Sequence, residues 1–335
     1  MPRRIFHGSR MNGGALLMLV ATLGAGSRAF AAAPDIGKYP QRPVRIVIGF
    51  TPGGVPDITA RLIATSLTET WKQQVIVDNR PGAGGTIAGQ IVTSANPDGY
   101  TLLSVSNAHS VAAAIYPKLP YDTVRDFAGI TMTANGPALL LVPPALGVKS
   151  VKELIALARS RPGQFNFSSA GVGSGSHFAG ELFKSTAGID VVHVPFKGIP
   201  EALTETMAGR VQFFMSPLAS AIGLVKEGKV PAIAVTSAKR VSQLPNVPTV
   251  AESGLPGFRW DYWYGMLAPA KTPRPLVNLL NREITRMLGQ PDVGGRLSVL
   301  GAEPAPTTPQ AFDRFIAEDI ATLTAVARKA KITAQ

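Results

Sequence analysis

Two glycine-rich stretches of the chain each follow a strand-like run and precede a helix-like one. The first is FTPGGVPDITARL, from Phe50 to Leu62, and the second is SSAGVGSGSHFAGELF, from Ser168 to Phe183. Glycine has no Cβ, so the backbone at such a corner can approach a ligand closely. The first turn of the following helix leaves N–H groups unpaired beside a partial positive charge. Both corners therefore suit a carboxylate or a phosphate.

The first corner, taken alone, has two interpretations. Gly53 and Gly54 could hold an anion, or they could only form the turn while Asp57 caps the helix. The second corner favours binding, because the hydroxyls of Ser169 and Ser174 can donate alongside the loop N–H groups. Charge-assisted hydrogen bonds contribute about 1.5–3 kcal/mol each, so a handful could support binding of about micromolar strength. Two such corners on facing lobes suit a ligand with two anionic ends.

Other predicted strands also end in polar residues that should face the same edge. They are Ser106, Asn107 and His109 after Thr101–Val105, Lys197 and Gly198 after Val191–Pro195, and Ser216 after Gln212–Met215. Ligands of open α/β sheets bind beyond the carboxyl ends of the strands, so these positions belong to the candidate site. Each of them, taken singly, is also compatible with an ordinary loop residue.

The commoner cofactor motifs are missing from the chain. NRPGAGGTIAG, from Asn79 to Gly89, lacks the dinucleotide fingerprint because Gly82 and Gly84 would require a third glycine at Ile87. The sequence also contains no Gly-Lys-Ser/Thr of a phosphate loop. We therefore interpret this stretch as a strand-to-helix corner that could border the cleft, and we expect no cofactor.

The sequence gives only weak signals for a metal site or for a hydrolase active site. His177 and Glu181 lie four residues apart, but the chain has no HExxH motif and no cysteine, so a pair on a helix surface is the preferred interpretation and no metal is expected. Ser174 and Ser176 lack the Gly-x-Ser-x-Gly elbow. An exported hydrolase using one of these serines with His177 or His109 is kept as the enzymatic alternative.

The amino-terminal segment predicts export. Arg3, Arg4 and Arg10 precede an apolar run that ends in small residues near Ala33, which is typical of a cleavable signal peptide over residues 1–33. The Arg3-Arg4 pair leaves the Sec and twin-arginine routes both open. No later segment approaches twenty apolar residues, so the mature chain should be a freely soluble periplasmic protein, and we expect a monomer.

Net charge indicates which kind of ligand the chain binds, and cysteine content indicates how the fold is stabilised. The formal net charge of +12 includes four arginines of the leader, which leaves about +8 for the rest of the chain. The basic residues are scattered without aromatic interleaving, so an anionic small molecule is favoured over nucleic acid. With no cysteine among 335 residues, the chain must be stabilised by its core, and this length favours two domains.

Strand-like and helix-like runs alternate along most of the chain. One series begins at Val44 and a second near Ala138, which predicts two doubly wound α/β lobes. The last part is mostly helical and needs a sheet to cover, so we expect the chain to return to the first lobe. The predicted domains are residues 34–135 with 256–335, and residues 136–255, joined by a hinge with two crossings. The aromatic run at Trp260, Tyr262 and Trp263 is interpreted as hinge or core packing rather than as a ligand-stacking surface.

Several collinear stretches resemble one family, the extracytoplasmic solute receptors of tripartite tricarboxylate transporters, or Bug receptors. These stretches are YPQRPVRIVIGFTPGGVPDITARL, VDNRPGAGGTIAG, ANPDGYTLL, SSAGVGSGSHFAGELF, VHVPFKGIPEAL, AIAVTSAKRVSQLPNVPTVAESGLPGF and WYGMLAPAKTP. The resemblance implies a two-lobed, type II-like periplasmic binding protein that closes on a small carboxylate and is not an enzyme. It also implies delivery of the ligand to membrane transporter subunits.

The resemblance and the strand-end pattern together give one predicted ligand-binding set. It comprises Phe50, Pro52, Gly53, Gly54, Asp57, Ser106, Asn107, Ser169, Ala170, Gly173, Ser174, His177, Lys197, Gly198 and Ser216. Asp57 is expected to cap the helix or to hold a water. Ser216 stands where relatives often carry an acidic residue, and Gln212 replaces a frequent aspartate, so the ligand of a particular relative does not transfer. A receptor that signals to a membrane sensor kinase is the remaining alternative.

Overall fold

The computed structural model describes residues 36–50, 52–53 and 55–332, and the predicted signal peptide lies outside them. Its strands are β1 (Val44–Ile48), β2 (Val75–Asn79), β3 (Thr101–Ser106), β4 (Phe127–Leu141), β5 (Phe165–Ser169), β6 (Val191–Pro195), β7 (Phe213–Pro217), β8 (Ala232–Val235), β9 (Asp261–Pro269) and β10 (Glu303–Pro304). Within the described residues these strands form one sheet in the order β2-β1-β3-β9-β4-β7-β5-β6, and β8 and β10 also pair with β4.

The described residues also form ten α-helices. They are α1 (Val55–Trp71), α2 (Thr86–Thr93), α3 (Ala108–Ile115), α4 (Val151–Ser160), α5 (Gly175–Ala187), α6 (Ile199–Met207), α7 (Leu218–Lys226), α8 (Arg274–Leu288), α9 (Pro291–Val299) and α10 (Pro309–Ala330). Short 3-10 helices span Ile36–Lys38, Ala83–Gly85 and Pro144–Leu146. No helix in the described ranges is long and apolar enough to cross a membrane.

The α/β class is confirmed, and the sheet has two parallel parts. β2, β1 and β3 run parallel in the first lobe, and β6, β5 and β7 run parallel in the second. The carboxyl ends of parallel neighbours lie at one edge, so the loops that follow β1 and β3 come together, as do those after β5, β6 and β7. The sheet therefore gathers the predicted site residues of each lobe at its strand ends.

Two antiparallel strands, β4 and β9, connect the lobes. β4 pairs with β9 from Phe127 to Pro137, and from Ala138 onward its partners are β7 and β8. Thr236, which is fully buried, accepts the amide of Ala138 at 2.7 Å and donates to the carbonyl of Trp260 at 2.5 Å. The long strand β4 was predicted only over its last residues, because Gly129, Gly136 and Pro137 interrupt its strand pattern.

Separate apolar clusters support the two parallel parts. In the first lobe, Ile46 of β1 and Ile63 of α1 belong to one buried cluster. In the second lobe, Phe167 of β5 packs with Phe178 and Phe183 of α5. Burying each such side chain contributes roughly 1.5–3 kcal/mol. These contacts hold α1 against β1 and α5 against β5.

Helix α10 packs on a third apolar cluster and on the second-lobe cluster. Phe312 and Ile316 in its first half join a cluster with Trp263 of β9. Leu323 and Ala327 in its second half belong to the second-lobe cluster. The predicted domain boundaries place the whole of α10 in the first domain, and they stay a prediction.

Candidate functional site

The first corner is organised by the Asp57 carboxylate. Gly53 has a φ of +94° and donates its amide to Asp57 Oδ2 at 3.0 Å. Asn79 Nδ2 donates both to Asp57 Oδ1 at 2.9 Å and to the carbonyl of Phe50 at 3.0 Å. Pro52 and Gly53 are exposed, whereas Gly54 lies outside the described residues. The side chain of Asp57 therefore ties the loop to the start of α1 and to the end of β2.

Asp57 is buried and ionised. Its burial raises the pKa of the carboxyl, but hydrogen bonds from Arg61, Asn79 and Gly53 outweigh that effect and bring the pKa below its usual value. Arg61 donates from Nε and Nη2 to the two carboxylate oxygens at 2.9 and 3.0 Å. Because both oxygens have protein donors, Asp57 shapes the loop rather than offering a free acceptor to a ligand.

The NRPGAGG corner packs against the first one. A Cβ added to Gly49 would lie 2.5 Å from the Cα of Gly85, so two backbones meet here. A cavity of about 10 Å³ lies behind Phe50 and is lined also by Ser106 and His109. This volume is close to that of one water molecule. The corner thus has a packing role and borders the candidate site, as the sequence predicts.

The second corner is a closely bonded loop around the start of α5. Ser174 caps the helix by accepting the amide of His177 at 3.2 Å, and its hydroxyl lies 3.1 Å from that of Ser176. Ser176 accepts the amide of Ala170 at 2.9 Å. Ser169 accepts the amide of Gly171 at 3.1 Å. The serine hydroxyls therefore set the loop conformation.

His177 and His193 form a stacked pair under this loop. Their ring centroids are 3.7 Å apart, and His177 Nδ1 accepts the amide of Gly173 at 3.1 Å. His193 Nε2 lies 2.6 Å from Ser169 Oγ. Burial lowers the pKa of His177 to about 4, and burial together with the charges of His177 and Lys184 lowers that of His193 to about 3. Both rings are neutral at neutral pH.

The interpretation of His177 and Glu181 as a surface pair was wrong. Both side chains are buried, and burial raises the pKa of Glu181. The ring of His177 is turned to the loop and to His193, a contact that sequence spacing does not reveal. Among the described residues, no group of three histidine, aspartate or glutamate side chains could hold a metal ion.

Loops of the two lobes meet at Asn107 and Gly175. A Cβ on Gly175 would lie 2.7 Å from Asn107 Nδ2 and 2.6 Å from Cε1 of Tyr262. Asn107 is 6% exposed, and its Nδ2 has no hydrogen-bond partner among the described residues. A Cβ on Gly173 would similarly lie 2.6 Å from the Cδ1 of Ile115 in α3. The start of α3 therefore faces the start of α5 without room for larger side chains.

The remaining predicted residues lie at strand ends with differing exposure. Lys197 is exposed and its amide donates to Glu201 at 2.9 Å, while Gly198 precedes α6. Ser216 is fully buried and donates to the carbonyl of Pro217 at 3.2 Å. Ser106 is buried and accepts the amide of Ala108 at 3.3 Å. The structure thus places Ser106 and Ser216 as loop supports rather than as open surface.

Serine–histidine geometry does not match the hydrolase alternative. Ser174 contacts the backbone amide of His177, whereas the ring of His177 accepts from Gly173. His109 is buried, with Nε2 3.1 Å from the carbonyl of Thr123. A nucleophilic serine requires an imidazole that can take its proton. Neither of these imidazoles is placed to take a proton from Ser174 or Ser176.

Comparison with known proteins identifies the family. The model described as "Tripartite tricarboxylate transporter family receptor" matches residues 59–332. The chain belongs to this receptor family. The family consists of solute receptors and not of enzymes, which confirms the predicted absence of catalysis. The match spans both lobes and includes the second corner in full.

Individual relatives agree with this assignment. BugT of Bordetella pertussis is 32% identical over 314 residues, which cover 93% of this chain and 95% of BugT. A protein of R. palustris solved with adipate is 36% identical with a TM-score of 0.77, covering 88% of this chain and 99% of that one. MatC from Rhodopseudomonas palustris with bound malate is 35% identical with a TM-score of 0.73, covering 86% and 99%. The two-lobed periplasmic-binding-protein fold is thereby confirmed.

Sequence reasoning missed several residues that support the predicted site residues. Asn79 and Arg61 hold Asp57, His193 contacts Ser169, and Tyr262 packs against Gly175. Only Asn79 had a usable signal, since it directly follows a predicted strand and begins a glycine corner. The partners of the others depend on long-range packing. Tyr262 is buried with Trp260 and Trp263, which supports their interpretation as packing residues.

Proposed function

We propose that this chain is a periplasmic solute-binding receptor that captures a small carboxylate between two lobes. The loops after β1 and β3 form one side of the site, and the loop before α5 forms the other. On closure, N–H groups of these loops replace the water around the carboxylate. The receptor then delivers its ligand to a membrane transporter of the tripartite tricarboxylate type. The leader-like composition of residues 1–33 supports export.

One observation carries this proposal. The first N–H groups of α5, at Gly175 and Ser176, have no acceptor in the described part of the chain, and the buried amide of Asn107 beside them has no partner either. A helix start carries a partial positive charge, and buried donors without acceptors are costly. A carboxylate supplies several acceptor positions in one group. The adipate and malate bound by the two relatives are carboxylates of this kind.

A ligand panel tests the binding proposal. Thermal unfolding should be measured with mono-, di- and tricarboxylates, including adipate, malate and aromatic acids. A true ligand at about 100 times its Kd should stabilise the protein by roughly 2.7 kcal/mol. If no carboxylate raises the melting temperature while an uncharged solute does, the carboxylate proposal is wrong.

Delivery to a transporter needs a separate measurement. Uptake of the labelled ligand should be lost when the gene is deleted and restored when it is returned. If uptake is unchanged by deletion while a transcriptional response to the ligand is lost, the protein serves a sensor kinase instead. A multi-span membrane protein encoded beside the gene would favour uptake.

A further inference from the structure

Strand β9 carries a tyrosine at the junction of the two lobes. Side chains at alternate positions of a strand share one face, so Tyr262, Tyr264 and Met266 point to the same side of β9. Met266 belongs to the first-lobe cluster and Tyr262 to the second-lobe cluster. Tyr264, which lies between them, packs against both clusters. Its ring therefore stands where the lobes join.

The starts of α1 and α5 lie on this same face of the sheet. Tyr264 pairs with Ser106 at the carboxyl end of β3, and Ser104 of that strand donates to a carbonyl in the first turn of α1 at 3.4 Å. On the other side of Tyr264, the ring of Tyr262 lies 2.6 Å from the Cβ position of Gly175 at the start of α5. Tyr264 therefore stands between the helix starts of the two corners.

The hydroxyl of Tyr264 is an open donor. It makes no hydrogen bond within the described residues, whereas the hydroxyl of Tyr262 beside it donates to the carbonyl of Met215 at 3.3 Å. Tyr264 is only partly buried, and its oxygen is not among the unpaired atoms that are sealed from solvent. Burial raises the pKa of Tyr264, so the hydroxyl keeps its proton near neutral pH. A protonated phenol can donate a hydrogen bond to a ligand oxygen.

We infer that Tyr264 is a ligand-binding residue, whose hydroxyl donates a hydrogen bond to an oxygen of the solute held between the lobes. This inference rests on the proposed function and adds to the site a residue outside the set predicted from sequence. The two corners contribute from opposite lobes, whereas Tyr264 contributes from a strand that joins them. Hydrogen bonds to charged acceptors are among the stronger ones, so the loss of one such contact is measurable in the Kd.

Removal of the hydroxyl alone tests the contact. Tyr264→Phe keeps the ring that packs against both clusters. Titration calorimetry of the full receptor uses adipate, malate and the carboxylate of the panel that gives the largest rise in melting temperature. For each of these probes that binds the wild type, the Kd should be about tenfold or more higher in Tyr264→Phe.

A second tyrosine gives the matched control. The hydroxyl of Tyr100 accepts the amide of Gln41 at 2.9 Å and lies at the amino end of β3, on the opposite edge of the sheet. Tyr100→Phe should leave the Kd of every probe unchanged. A Kd for Tyr264→Phe within about twofold of the wild-type value overturns the inference and leaves carboxylate binding intact. If no carboxylate of the panel binds the wild-type receptor, the proposed function is wrong and the inference fails with it.

A spectroscopic readout separates a direct contact from a change in packing. The chain has six tyrosines, which can be labelled with carbon-13 at Cζ, and the signal missing from Tyr264→Phe identifies Tyr264. Saturation of the wild type with the carboxylate probe should shift this signal, because Cζ carries the donating hydroxyl. A signal that stays in place at saturation overturns the inference, even where the Kd of the variant is raised.

Discussion

The imidazole rings of His177 and His193 stack with their centroids 3.7 Å apart and their planes inclined by 11°. Each ring also supports the loop before α5, since His177 accepts the amide of Gly173 and His193 contacts Ser169. A second proton on His177 would remove its acceptor and place a positive charge against its neighbour. Lys184 adds positive charge nearby, whereas buried Glu181 has a raised pKa and therefore compensates poorly in acid. The loop thus requires both rings to be neutral.

Stability and binding should therefore fall in acid. The pKa values of about 4 for His177 and about 3 for His193 lie below the usual histidine value of 6.5. Between these limits the unfolded chain binds more protons, so stability is complete above pH 6.5 and decreases as pH falls toward 4. By pH 4 each ring should contribute a decrease of about 3 kcal/mol in the free energy of unfolding. Urea denaturation at successive pH values measures it. His177→Asn should flatten this slope, and an unchanged slope would exclude the pair as its source.

Loss of the Asp57 charge should weaken binding without a direct ligand contact. In Asp57→Asn the side chain can no longer accept from Gly53, Asn79 and Arg61 together, so the first corner loosens. We expect the free energy of unfolding to fall by about 1–3 kcal/mol and the Kd of a carboxylate ligand to rise about tenfold. Glu69→Gln, on the exposed side of the same helix, is the control and should change neither quantity. Equal affinity in both variants would remove the corner from the site.

A methyl group at Gly175 should separate α5 from α3. Gly175→Ala places its Cβ within 2.7 Å of both Asn107 and buried Tyr262, which must shift. Overpacking of this kind costs about 1–3 kcal/mol, and the displaced donors should raise the ligand Kd at least about tenfold. Gly223→Ala in α7 meets no atom within 4 Å and serves as the matched control. Calorimetry and denaturation of both variants measure the Kd and the free energy of unfolding. Wild-type affinity in Gly175→Ala would contradict the prediction.

The stability of the strand crossing between the lobes should depend on the Thr236 hydroxyl. Thr236→Val keeps the side-chain shape but leaves the amide of Ala138 and the carbonyl of Trp260 without this partner. Because all three groups lie at the buried crossing, we expect a loss of about 2–4 kcal/mol in unfolding free energy. Thr322→Val, on the exposed face of α10, should cost less than about 1 kcal/mol. Equal losses in the two variants would show that the crossing bonds contribute no special stability.

Local sequence pattern was sufficient to predict most of the helices and strands and the two glycine-rich corners. The apolar run before Phe50 and the one before Ser169 end in glycine-rich turns, and both were predicted as strand ends followed by helices. Such signals are local, because glycine permits the turn and the periodicity of apolar residues sets the helix face. Helix α3 was missed, since its alanine-rich segment AHSVAAAI has little contrast between polar and apolar faces.

Only the tertiary structure decided which hydrogen-bond partner each polar group has. The sequence determined that Asp57, Ser169, Asn107 and His177 stand at strand ends or at the helix starts that follow them, where a ligand site is expected. Packing then gave Asp57 and Ser169 partners within the protein and left the Asn107 amide without one. Hydrogen-bond partners come from strands and helices far apart in the chain, so their distances follow from the folded sheet and not from spacing in sequence. For that reason the sequence predicted where a site lies, and only the fold shows which of the predicted residues already have partners within the protein.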